Sequence, residues 1–109
     1  MNSSKDRCIQ TYEGWLTKQG FIFKTWKRRW FVLDNSSISY YIEPGGKIKG
    51  TISLINSSVG LDKESKKQPA FKITTPNRVY HIIADSEEEA NGWINAIMIA
   101  NGPTISKIS

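Results

Sequence analysis

The 109-residue sequence predicts a mainly β domain, an antiparallel sandwich or barrel, with one helix at its C-terminal end. Three observations predict it. Short stretches of aromatic and branched residues recur at roughly regular spacing. Clusters of Asn, Asp, Ser, Gly and Pro separate them. After Ser86 the apolar period changes from that of a strand to that of a helix.

Residues 1–10 are polar and read as a flexible lead-in, and the folded domain is expected over 11–102 with a flexible tail over 103–109. The first strand, Tyr12 to Gln19, alternates loosely. The second, Trp26 to Leu33, stops at Asp34-Asn35-Ser36-Ser37, and the third, Ile38 to Ile42, stops at Glu43-Pro44-Gly45-Gly46. Gly50 to Leu54, Val59 to Leu61, Ala70 to Thr74 and Arg78 to Ile83 complete seven strands, the last two joined by the tight turn Thr75-Pro76-Asn77. Ser86 and Glu89 then form a capping box, and Glu87, Glu88 and Glu89 suit the positive end of a helix dipole. Ala90, Trp93, Ile94 and Ile97 give one apolar face over about four turns. Asn101-Gly102-Pro103 is expected to stop the helix. The apolar face is suited to plug one end of a small barrel, which leaves the other end free to bind a ligand.

Composition excludes several classes of function. No run approaches the 18 apolar residues of a membrane-spanning helix, and the start carries no apolar signal stretch. The single cysteine, Cys8, has no internal disulfide partner, so the chain reads as cytoplasmic. One His and one Cys cannot build a zinc site. Gly45-Gly46-Lys47 is followed by Ile48 and lacks the earlier glycine of a phosphate-binding loop. Ser, His81 and Asp85 occur without a nucleophile-elbow pattern, so neither enzyme nor cofactor is expected, and Trp93 and His81 read as structural.

Charge is distributed unevenly. Residues 1–50 hold nine Lys and Arg against four acids, whereas residues 51–109 hold six of each. Five cations and no anion lie between Lys18 and Arg29. Such a segment repels itself, which points to an anionic partner. Lys27 and Arg29, two apart on a strand, leave the same face about 7 Å from each other. Lys18 lies across the hairpin from them, so three cations converge at the mouth of the barrel. Vicinal phosphates on a ring are a dense charge that such a cup can match, Arg29 by a bidentate grip and the lysines as point charges. Backbone N–H groups of the Gly20–Thr25 loop can add a nest. Within that loop Phe21 and Ile22 are candidates to dip into a lipid interface, with Lys24 and Arg28 touching anionic headgroups. Phe21 and Phe23 can equally pack the hairpin itself.

Glu13-Gly14-Trp15-Leu16-Thr17-Lys18, the run Lys24-Thr25-Trp26-Lys27-Arg28-Arg29-Trp30-Phe31-Val32-Leu33 and the helix Trp93 together resemble the pleckstrin homology (PH) domain family. That resemblance implies a seven-stranded antiparallel barrel of two near-orthogonal sheets, capped by one C-terminal α-helix. Lys18, Lys27, Arg29 and Tyr40 resemble the subset that binds 3-phosphoinositides, as in the cytohesins, protein kinase B and the dual adaptor of phosphotyrosine and 3-phosphoinositides. One residue of slippage would exchange Tyr40 for Tyr41. Lys49 resembles a further headgroup contact, and by weaker analogy so does Arg78. The resemblance implies recruitment to the plasma membrane by phosphatidylinositol 3,4,5-trisphosphate. The short Thr75–Asn77 turn implies tolerance of the 3,4-bisphosphate. A protein-interaction scaffold with generic attraction to anionic membranes is the alternative. Nucleic acid is not an expected partner, and a monomer is expected.

Overall fold

A computed structural model describes residues 11–106, with side chains through Asn101. Seven strands are followed by one helix: β1 (Thr11–Gln19), β2 (Trp26–Asp34), β3 (Ser37–Tyr41), β4 (Ile48–Ser53), β5 (Ser58–Leu61), β6 (Ala70–Thr74), β7 (Val79–Ile83) and α1 (Glu87–Ser106). The strands pair antiparallel in the order β4-β3-β2-β1-β7-β6-β5, so the two expected sheets are joined into one ladder through β1. β1 pairs with β2 from Thr11 through Gln19 but with β7 only at Thr17 and Lys18. The sheet therefore turns its corner at the end of β1 that carries Lys18.

Alternation sorts each strand into a buried and an open face. Leu16, Phe31, Leu33, Ile38, Ile52, Phe71, Ile73 and Ile82 form the core, joined from α1 by Ala90, Trp93 and Ile97. Trp93 closes one end. Its ring meets Tyr12 edge-on at 4.7 Å and Phe31 at 6.2 Å. It lies over Gly14, where a Cβ would stand 3.6 Å from the indole nitrogen. Along the inner face of β1, Tyr12 and Gly14 lie under the helix, Leu16 in the core and Lys18 at the opposite mouth. Six residues of strand carry the chain about 20 Å between those ends.

The helix begins as expected, with the Glu89 N–H donating to Ser86 Oγ at 3.1 Å. It does not stop at Asn101-Gly102-Pro103 but runs on to Ser106. A Gly-Pro pair adds roughly 1 and 3 kcal/mol to the cost of helix, which penalises that conformation without forbidding it, and Pro103 has no N–H to give the Ile99 carbonyl. The lead-in expected over residues 1–10, with Cys8, and the final residues 107–109 lie outside the described residues.

Candidate ligand site at the open mouth

The mouth opposite α1 is built by the inner-face residues that lie beyond the core on four strands and one turn. β1 supplies Lys18, β2 supplies Lys27 and Arg29, β3 supplies Tyr40, β7 supplies Tyr80, and Arg78 comes from the turn just before β7. Lys18 and Lys27 are directly opposed in the β1–β2 register. Like charges facing each other across a strand pair are unfavourable. Lys18 is also half-buried, and its pKa is held below the usual lysine value, first by desolvation and then by Arg78, Arg29 and Lys27. Its ammonium lies 4.8 Å from the centroid of the Tyr40 ring. The Arg29 guanidinium is steadied by donating to the Arg28 carbonyl at 2.9 Å. Among the described residues, no carboxylate forms an ion pair with Lys18, Lys27, Arg29 or Arg78.

Tyr40, not Tyr41, faces this mouth. Its ring stacks on Phe31 at 5.4 Å, so it is at once the rim of the core and the wall of the cup. Burial and the neighbouring Tyr80 raise its pKa, against the pull of Arg78 and Arg29, and the hydroxyl stays a proton donor. Tyr41 instead opposes Trp30 across β2 and β3, one position out of phase. The Tyr40 hydroxyl overlies Gly50, where any Cβ would collide with it. Gly50 is thus needed for a close approach. The β3–β4 register shifts between Tyr40 and Tyr41, leaving Lys49 as the extra, exposed residue of a bulge beside Gly50.

The structure brings Arg78 into the centre of the group. Its guanidinium carbon lies 3.9 Å from the Tyr80 ring centroid and 4.5 Å from that of Phe21. Its backbone is pinned by Thr75, whose Oγ1 donates to the Arg78 carbonyl at 2.9 Å and accepts from the Arg78 N–H at 3.1 Å. The Arg78 Nε is buried and, among the described residues, has no hydrogen-bond acceptor. Tyr80 was not singled out in the sequence. The signal that would have found it is its even spacing with Arg78 and Ile82 on one strand face.

Arg28 is placed differently from the expectation of a membrane contact. It sits on the outer face of β2, where it makes a bidentate pair with Asp85, both distances 2.9 Å, and lies 5.2 Å from the Trp15 ring. The reason is strand alternation, which sends it away from Lys27 and Arg29. The outer face continues through Trp15 and Trp30, edge-on at 5.4 Å, with Trp30 Nε1 donating to Glu13.

Beside the mouth, the β1–β2 loop is folded by bonds from the Gly20 N–H to the Thr25 carbonyl and from the Thr25 N–H to the Phe23 carbonyl. Those two amides are spent inside the loop and are not open to a nest. A Cβ at Gly20 would collide with the Phe23 carbonyl. Phe21, Ile22 and Phe23 are 56, 76 and 78% exposed, so the tip projects and Phe23 does not pack the hairpin. Lys24 is exposed at its base. A separate groove of about 450 Å³ runs along the outer side between Trp26, His81 and the Glu64–Lys67 loop, and holds none of the mouth's cations. There His81 Nδ1 lies 3.0 Å from the buried Asp62 carboxylate.

Comparison with known proteins agrees with this architecture. A family model for the PH domain matches residues 10–101. A RAC family serine/threonine-protein kinase homolog of Dictyostelium discoideum is 35% identical over 89 residues, covering 80% of this chain and 20% of the kinase homolog. A mouse dual adapter for phosphotyrosine and 3-phosphotyrosine and 3-phosphoinositide is 33% identical over 91 residues, covering 82% of this chain and 32% of the adapter. The chain thus spans a third or less of either relative. The C-terminal PH domain of pleckstrin in complex with D-myo-Ins(1,2,3,4,5)P5 superposes with a TM-score of 0.69 at 34% identity, covering 82% of this chain and 95% of that one.

Proposed function

The chain belongs to the PH domain family, and on that premise we propose that it is a phosphoinositide-binding recruitment module whose open mouth takes the lipid headgroup. The observation that carries the reading is a set of cations from three segments, Lys18, Lys27 with Arg29, and Arg78, gathered in one cup without a carboxylate among the described residues to pair with them. Holding Lys18 partly desolvated beside three other cations is unfavourable until an anion arrives. A polyphosphate adds an attraction to each of these cations that outweighs their mutual repulsion. Each charge-assisted hydrogen bond contributes roughly 1.5–3 kcal/mol.

In this reading Arg29 grips one phosphate bidentately, Lys18 and Lys27 supply point charges, Arg78 adds a second guanidinium, and Tyr40 donates its hydroxyl. Lys49 reaches in from the bulge. Ile22 and Phe23, the most exposed of the loop's apolar side chains, enter the lipid interface with Lys24 against the headgroup layer. Arg28, already paired with Asp85, is left out. The preferred lipid is phosphatidylinositol 3,4,5-trisphosphate, with the 3,4-bisphosphate tolerated, and the plasma membrane is the site of recruitment. The likeness to the dual adapter and to the inositol-phosphate-bound pleckstrin domain supports the choice of ligand class.

Calorimetric titration with soluble inositol 1,3,4,5-tetrakisphosphate, with inositol 1,4,5-trisphosphate as control, tests it. Tighter binding of the first is expected. Equal, weak and purely salt-dependent binding of both overturns the reading in favour of a protein-interaction scaffold with a generic basic face.

A further inference from the structure

We propose that Phe21, an apolar residue at the rim, is a positioning residue for the headgroup site and acts through Arg78; the inference rests on the phosphoinositide reading above. The loop tip carries three large apolar side chains, but they are not equivalent. Ile22 and Phe23 project freely, whereas the Phe21 ring lies 4.5 Å from the Arg78 guanidinium carbon. Tyr80 holds the same guanidinium at 3.9 Å. Rings from two separate segments, the β1–β2 loop and β7, thus press on one cation whose backbone Thr75 already pins.

A guanidinium stacked on an aromatic ring offers its hydrogen bonds along its edge. Its Nε is buried without an acceptor, and among the described residues its outer nitrogens form no ion pair either, which leaves them to meet a phosphate. Arg78 also acts on Lys18 and Tyr40, which places its charge within the cup. Phe21 therefore removes the freedom of a long side chain before the ligand binds, and the entropy of ordering Arg78 is not lost at the moment of binding. The tight turn at Gly20, where a Cβ would collide with the Phe23 carbonyl, fixes the loop that sets Phe21 beside Arg78.

The consequence is specific. Phe21 contributes to binding of the soluble headgroup, with no membrane present, while Ile22 and Phe23 contribute only to vesicles. By calorimetry with inositol 1,3,4,5-tetrakisphosphate, Phe21→Leu is expected to weaken binding about threefold to tenfold, the range of one cation–ring contact. Phe21→Tyr restores it, and Ile22→Ala and Phe23→Ala leave it unchanged. In an Arg78→Lys background, which keeps the charge but loses the planar stack, Phe21→Leu has no further effect. Phe21, Ile22 and Phe23 are exposed and Arg78 is half-buried, and an unchanged thermal midpoint verifies that each variant folds. Arg29→Ala separates the two levels of the argument. Wild-type binding weakened on the order of a hundredfold by Arg29→Ala but untouched by Phe21→Leu overturns the role of Phe21 alone. Absence of wild-type binding, or binding of unchanged strength in Arg29→Ala, overturns the headgroup reading and this inference with it.

Discussion

The two faces of β2 carry the same kind of side chain and put it to opposite uses. On the outer face Arg28 is neutralised by Asp85 in a bidentate pair and leans on Trp15. On the inner face Lys27 and Arg29 stand with Lys18 and Arg78, and no carboxylate among the described residues meets them. A charge paired within the fold has little left for a ligand. Charges crowded together and partly desolvated hold the domain in a state that an anion relieves. Adjacent residues of one strand thus divide into a paired cation and cations left unpaired, and alternation of the strand alone separates them.

The largest way to break this comparison is to remove one cation from each face. Arg29→Ala is expected to weaken soluble headgroup binding on the order of a hundredfold, the loss of two charge-assisted bonds, while Arg28→Ala changes it less than about twofold. Calorimetric titration of both variants decides, and comparable losses would erase the distinction between the faces. A smaller effect tests the wall of the cup. Gly50→Ala forces the Tyr40 hydroxyl to move and is expected to weaken headgroup binding about tenfold, the loss of one hydrogen bond. The shift of the Tyr40 ring signals in NMR provides the check.

The inner face should also be stabilised by losing a charge. Lys18 has its pKa lowered in the folded state, so its charged form opposes folding at neutral pH. That penalty is fully present below the folded pKa and disappears as pH rises through it toward the unfolded value. Lys18→Met is therefore expected to raise the thermal midpoint by about 2–4 °C at pH 7 while weakening headgroup binding roughly tenfold, the loss of one charge-assisted bond, and its stability advantage should shrink at alkaline pH. On the outer face the sign is reversed. Asp85 has its pKa depressed by the Arg28 hydrogen bonds, so it contributes stability above its unfolded pKa that is lost as pH falls through the folded one. Both side chains are about half exposed, and Arg28→Ala is expected to cost only about 0.2–1 kcal/mol. Denaturant titration at neutral pH and again below pH 3 would measure it.

Much of this was legible in the sequence because it depends on local rules. Turn residues between alternating stretches marked all seven strands, and the parity of Lys27 and Arg29 placed both on one face. The hairpin set Lys18 opposite them. Other features depended on where segments meet in space. Arg28 could not be assigned without Asp85, 57 residues away, and it was expected at the membrane. The choice of Tyr40 over Tyr41 waited on the β2–β3 register, which a single residue of slippage inverts. Lys49 waited on a bulge that no local motif announces.

By itself, then, the sequence determined the fold class, the helix start at Ser86 and the candidate cations on β1 and β2, since periodicity and turn chemistry act over a few residues. Only the tertiary structure decided which cations stay unpaired, that Arg78 and Tyr80 complete the cup, and that Phe21 faces Arg78. The physical reason is that pairing, burial and stacking depend on distance through space, and the corner of the sheet at β1 brings β7 beside Lys18. The helix also passes Gly102 and Pro103, since the poor helix preference of that pair sets a cost and not a prohibition.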